Sequence, residues 1–154
     1  MTPGSSVAGT PELARGAAAV ALAWGAVVLA FALLPTHGVL SSVAGERETL
    51  TTQVGHFAEF ALLAALVERW LKARGALAAE TGLALAPSHM APAVGAWLAT
   101  VAYGAAIEGV QLPLPYRDGQ LADLVIDAAG ALAGLVVLSA VRYLRRRGVR
   151  RRAR

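Results

Sequence analysis

Four long apolar stretches separated by polar segments organise this chain, at residues 17–34, 54–71, 93–112 and 121–144. At about 1.5 Å per helical residue, each is long enough to span a hydrocarbon core of about 30 Å. The pattern predicts an all-α, polytopic membrane protein whose four transmembrane helices pack as a compact bundle. Residues 1–12, rich in Ser, Gly, Thr and Pro, read as a flexible N-terminal tail, 13–144 as the four-helix membrane domain and 145–154 as an Arg-rich tail. Residues 75–92, bounded by Pro87 and Pro92, read as a connecting loop. The first stretch has Arg15 before it and a loose small-residue cleavage pattern at Ser42-Val43-Ala44. Its uncharged run exceeds the roughly 7–15 residues of a signal-peptide core, so it is read as a transmembrane helix.

Polar residues interrupt the apolar text at one level. Between Tyr103 and Gly134 stand Glu108, Gln111, Arg117, Asp123 and Asp127. An isolated charge at mid-bilayer costs on the order of 3 kcal/mol even on lenient scales, so such groups mark a site or an internal pairing. If the second helix begins near Val54, the third ends near Leu112 and the fourth begins near Leu121, then Glu59, Glu108 and Asp127 all lie roughly 6–9 Å inside the same boundary. His56 stands one turn from Glu59, Gln111 one turn from Glu108 and Asp123 one turn from Asp127. Asp123, Asp127, Gly130 and Gly134 fall within an arc of roughly 60° on a helical wheel. Small residues at that spacing let helices approach closely in lipid, so Gly130 and Gly134 are expected to pack the fourth helix. Thr100, Gly104, Glu108 and Gln111 form a matching stripe on the third.

Charge orients the bundle. One side holds both tails and the 75–92 connection, and carries 12 of the 14 basic residues, including eight arginines from Arg142 onward. Basic residues accumulate on the cytoplasmic side of short loops, so both termini are expected in the cytoplasm and the polar ladders at the outer face. Trp70, Trp97 and Tyr143 then fall near the inner interface. Hydrophobic residues make up 56% of the chain and charged ones only 16%, against roughly 25% charged in soluble proteins. Without the eight tail arginines, six basic residues face ten acidic ones, so the net charge of +4 belongs to the tail. A basic cluster just after a last span is an orientation signal that touches anionic lipid, and no nucleic-acid partner is expected. The absence of cysteine excludes disulfides, thiol catalysis and cysteine metal clusters.

The string His56-Phe57, Glu108-x-x-Gln111, Arg117 and Asp123-x-x-x-Asp127-x-x-Gly130-x-x-x-Gly134 resembles the VanZ-like membrane proteins over about residues 17–140. Members often carry Lys a few residues before the His, where this chain has Gln53, and Asn where it has Asp127. The family is named for a protein linked to low-level teicoplanin resistance. The resemblance thus implies a bacterial plasma-membrane, multi-pass protein with a task in the cell envelope. Glycopeptides act on peptidoglycan precursors outside the membrane, the side assigned to the ladders.

The expected ligand-binding set is His56, Glu108, Gln111, Arg117, Asp123 and Asp127. The first functional reading is binding or shielding of an envelope lipid or peptidoglycan-precursor-type ligand. The alternative is an enzyme in which Glu108, Asp127 or His56 performs acid/base chemistry while Arg117 holds a phosphate on a lipid-linked substrate. A third reading is a purely structural network, in which Arg117 caps the 113–120 loop with Asp118 or Asp123 and His56 neutralises a carboxylate. No metal is assigned, since no compact ligand motif such as HExxH occurs, and no cofactor is specified. Membrane lipids are the expected partners. A transporter is disfavoured because the inner halves of the spans read as lacking polar groups. Glu68 and Arg69, at the inner end of the second helix, are expected to be solvated, and His37 and His89 to lie in loops.

Overall fold

The computed structural model describes residues 10–34, 48–80, 90–115 and 121–152. They form four helices: α1 (Thr10–Leu33), α2 (Glu48–Glu80), α3 (Ala91–Gln111) and α4 (Leu121–Arg152). Prolines punctuate them. Pro92 sits in the first turn of α3, where its missing N–H leaves no bond unmade, and Ala93 and Val94 donate to the Met90 carbonyl instead. At the other end Leu112 N donates to Glu108 O at 3.1 Å, and Pro113 follows, which cannot extend the ladder.

Neighbouring residues establish an up-down-up-down bundle. Gly25 meets Leu63 and Tyr103, Gly95 meets Leu71, and Gly130 and Gly134 meet Phe57 and Ala61. Thus α1 and α3 run one way, α2 and α4 the other. α2 and α3 each touch every other helix, whereas α1 and α4 share no contact among the described residues. The starts of α1 and α3 and the ends of α2 and α4 gather at one end, here the basal end; the opposite end is apical.

Two core layers fill the interior. The first is built on Val28, Ala32, Phe60 and Ile107, with Trp24 and Tyr103 packed against it. The second is built on Ala64, Ala96, Ala131 and Leu135, with Leu71 and Trp97. Outward, large apolar side chains such as Leu22, Leu121, Val125 and Val137 are exposed, a surface suited to hydrocarbon rather than water.

Among the described residues, three helices are long and apolar enough to cross a membrane: Pro11–Leu33, Ala91–Gln111 and Leu121–Val149, with mean hydropathies of 2.2, 1.3 and 2.2. This shows membrane-type helices for three of the four expected spans. α2, at 33 residues, has the length but is not among them, and it carries Glu59, Glu68, Arg69 and Lys72.

One expectation fails at α2. Glu68 is not solvated: it is 1% exposed, and Arg142 Nη1 on α4 donates to its two carboxylate oxygens at 2.9 and 2.8 Å. Lys72 Nζ, one turn along α2, adds a contact at 2.5 Å. The parallel course of α4 beside α2 brings Arg142 over a carboxylate 74 residues earlier, and the buried charge is compensated there. Arg69 is exposed, as expected. The basal half of the bundle therefore contains a polar cluster and is not uniformly apolar.

Candidate functional site

The apical half of the bundle is built by close backbone approach. A Cβ at Gly130 would collide with the Phe57 backbone, its Cα at 2.9 Å, and one at Gly134 with the Ala61 backbone, its Cα at 2.8 Å. With no side chain between them, α2 and α4 bring His56 and Asp127 together. His56 Nδ1 and Asp127 Oδ1 are 3.2 Å apart, the ring nitrogen donating when the carboxyl is ionised. Asp127 is 2% exposed. Its second oxygen turns toward α3, where a Cβ at Gly104 would lie 3.0 Å from Asp127 Oδ2 and 3.0 Å from the Phe60 ring. Three helices thus enclose one carboxylate: α2 supplies the imidazole, α4 the acid and α3 the space.

Around this pair the other candidates take different places. Asp123 is half-buried in the first turn of α4, where a negative charge suits the helix dipole, and Glu59 is half-buried one turn along α2. Both lie within electrostatic range of the His56 ring. Glu108 is half-buried on α3, one turn beyond Gly104. The buried stripe of α3 runs Ala96, Thr100, Gly104, Ile107 and Gln111, so Glu108 stands at its edge. Gln111 is buried, and its Nε2 donates to Ala32 O at 2.7 Å. That carbonyl belongs to the last turn of α1, which has no intrahelical donor for it, so Gln111 closes the end of α1. Arg117 and Asp118 lie outside the described residues, as do His37 and His89.

A family model described as VanZ/LLP1 matches residues 16–142. The chain belongs to the VanZ/LLP1 family. No match occurs among curated proteins or solved structures. In this VanZ/LLP1 member the matched region takes in α1 from Gly16 onward and ends at Arg142, so it covers both the His56–Asp127 pair and the Glu68–Arg142 pair.

Several side chains that fix the site escape a reading of polar patterns. Trp24 Nε1 donates to Glu59 O, and Trp97 Nε1 to Ala128 O, each at 3.1 Å; Tyr103 OH donates to Gly25 O at 2.6 Å. These bonds tie α1 to α2, α3 to α4 and α3 to α1. Trp97 is thus half-buried against the second core layer and not simply part of an interfacial belt. Trp70 and Tyr143 do lie toward the basal end, with the guanidiniums of Arg74 and Arg147 at 5.7 and 4.6 Å from their ring centroids. Only the Glu68–Lys72 i, i+4 spacing offered a sequence signal for the basal cluster. Among the described residues no group of three or more His, Cys, Asp or Glu side chains forms a metal-ligand cluster.

The apical arrangement has specific chemical capacities. A histidine oriented by a buried carboxylate presents its other ring nitrogen in a defined direction, able to accept a proton or bind a polar ligand atom. The acids flanking it suit a ligand that carries hydrogen-bond donors, and the imidazole suits one that carries a phosphate or carboxylate.

Proposed function

We propose that this protein crosses the bacterial plasma membrane four times, with both termini and the α2–α3 connection in the cytoplasm and the apical end at the outer face. The charge distribution supports the orientation: 12 of 14 basic residues belong to the basal side. α2 serves as the fourth span although it carries charged side chains. As a central helix touching the other three, it turns Glu68 and His56 into protein contacts instead of acyl chains.

The function proposed for the apical end is binding or shielding of an envelope lipid or a peptidoglycan-precursor-type ligand, with glycopeptide (teicoplanin) susceptibility as the cellular readout. The observation that carries it is the buried Asp127 held against His56 where three helices converge. A purely structural pair does not need Asp123, Glu59 and Glu108 half-buried around it at the same end. In this reading Arg117 contacts the ligand's phosphate. The test compares Glu108→Gln and Arg117→Ala with the wild type for susceptibility, membrane abundance and melting. Loss of the phenotype with abundance and melting unchanged supports the proposal. Parallel loss of folded protein would assign these residues to a structural network.

The His56–Asp127 geometry also favours a second reading, a membrane-embedded enzyme on a lipid-linked phosphate. A carboxylate-oriented imidazole is a general-base arrangement, with Glu108 as a further acid/base group. An enzyme changes the mass of an envelope lipid in membranes holding the intact protein relative to Asp127→Asn; a binder leaves that mass unchanged.

A further inference from the structure

The basal half of α1 borders two voids that join. One, of about 350 Å³, lies among α1, α2 and α3, with hydrocarbon walls from Ala21, Gly25, Leu63 and Val67. The other, of about 540 Å³, opens at the basal end between α1 and α2 and is edged by Arg15 and Arg74. Ala18 and Trp70 line both, so the two form one furrow. From Arg15 to Gly25 it runs roughly 15 Å at 1.5 Å per residue, half of a roughly 30 Å core and thus one leaflet deep.

The two ends of the furrow differ chemically. Its deep part is almost wholly apolar, with Thr100 and Tyr103 the polar residues in its wall, and an apolar void in a bilayer is filled by hydrocarbon. Its mouth carries two guanidiniums with no ion-pair partner among the described residues, unlike Lys72 and Arg142, which Glu68 engages. Arg74 is held over the Trp70 ring that forms the step between the two voids. The mouth also lies beside the start of α1, whose dipole favours negative charge.

We propose that this furrow is a site for one anionic phospholipid of the basal leaflet, its phosphate between Arg15 and Arg74 and one acyl chain in the void beneath Gly25. Guanidinium forks match phosphate oxygens in geometry and charge, and a net-negative headgroup leaves no cation facing them. The site is separate from the His56–Asp127 pair and lies at the other end of the bundle. It assigns α1, which contributes no polar side chain to the apical ladders, a recognition task of its own.

The test uses the full-length protein reconstituted in vesicles of equimolar phosphatidylglycerol and phosphatidylcholine, followed by native mass spectrometry of the released protein. The wild type should retain one phosphatidylglycerol in preference to phosphatidylcholine by about ten-fold, the scale of one charge-assisted hydrogen bond. Arg15→Gln with Arg74→Gln, both at exposed positions, should bring that ratio near parity without altering melting. Ala18→Phe, which obstructs the furrow without changing charge, should remove the retained lipid. Retention of both lipids in the vesicle's own proportions, or a preference unchanged in the double arginine variant, would overturn the proposal. So would a lipid-free dimer that Ala18→Phe dissociates, since a second copy would then occupy the furrow.

Discussion

Replacing Gly134 by alanine probes the contact on which the apical site depends. The added methyl would lie 2.8 Å from Ala61 Cα and closer still to the Ala61 carbonyl oxygen, both backbone atoms that no rotamer change can move. Carbon atoms pack best at about 3.5–4.0 Å, so α2 and α4 must separate by roughly 1 Å. A gap of that size forfeits roughly a quarter to a half of the dispersion energy of the atoms along it. The expected cost is about 1–3 kcal/mol, or a Tm lowered by about 3–9 °C for a chain of this length. The same separation would carry His56 and Asp127, now 3.2 Å apart, beyond hydrogen-bond range. Gly130→Ala should behave alike, and because one separation relieves both overlaps, the double variant should cost less than the sum. Gly55→Ala is the control: nothing lies within 4 Å of its Cβ, so it should be neutral or stabilising by about 0.5–1 kcal/mol. Thermal unfolding of the purified proteins in detergent reads all four. A Gly134→Ala protein that melts with the wild type would refute the close packing of α2 on α4.

Other substitutions have equally definite outcomes. Arg142→Ala leaves buried Glu68 with Lys72 as its remaining cation and should destabilise by about 1–3 kcal/mol, whereas Glu68→Leu with Arg142→Leu should recover much of that loss; thermal melts of both variants decide it. Thr100 is 1% exposed and its hydroxyl has no partner, so Thr100→Val, close in volume, should raise stability by about 1 kcal/mol; a lower Tm would mean that the hydroxyl is bonded. Gln111→Leu removes the donor to Ala32 O and should cost about 1–3 kcal/mol, with faster hydrogen exchange confined to the end of α1.

Much of the architecture was legible because membrane helices announce themselves by length and apolarity, and α1, α3 and α4 did so. α2 was legible from the apolar stretch at 54–71, and the charges it also carries are ones that a helix surrounded by protein can hold and a lipid-facing helix cannot. Counting residues inward from span boundaries puts Glu59 level with Asp127 and His56 one turn above, whereas the structure sets His56 beside Asp127. Their pairing, in preference to Glu59 or Glu108 with Asp127, depends on how closely α2 and α4 cross at Gly130 and Gly134. The Glu68–Arg142 bond was hidden for a different reason. Glu68 stands beside Arg69 and near Lys72, a local pattern that reads as a solvated surface, while the partner that buries it comes from a distant helix. Carbonyl-directed bonds from Trp24, Trp97, Tyr103 and Gln111 carry no spacing signature, because any backbone oxygen can accept them.

Mass spectrometry of whatever leaves the membrane with the purified protein tests the apical site most directly. A phosphate-bearing envelope lipid of unaltered mass should accompany the wild type, be lost from Glu108→Gln and Arg117→Ala, and persist in the Arg15→Gln, Arg74→Gln protein. The same set of copurified molecules in wild type and both apical variants would contradict a ligand site at the His56–Asp127 end and leave that pair a structural one.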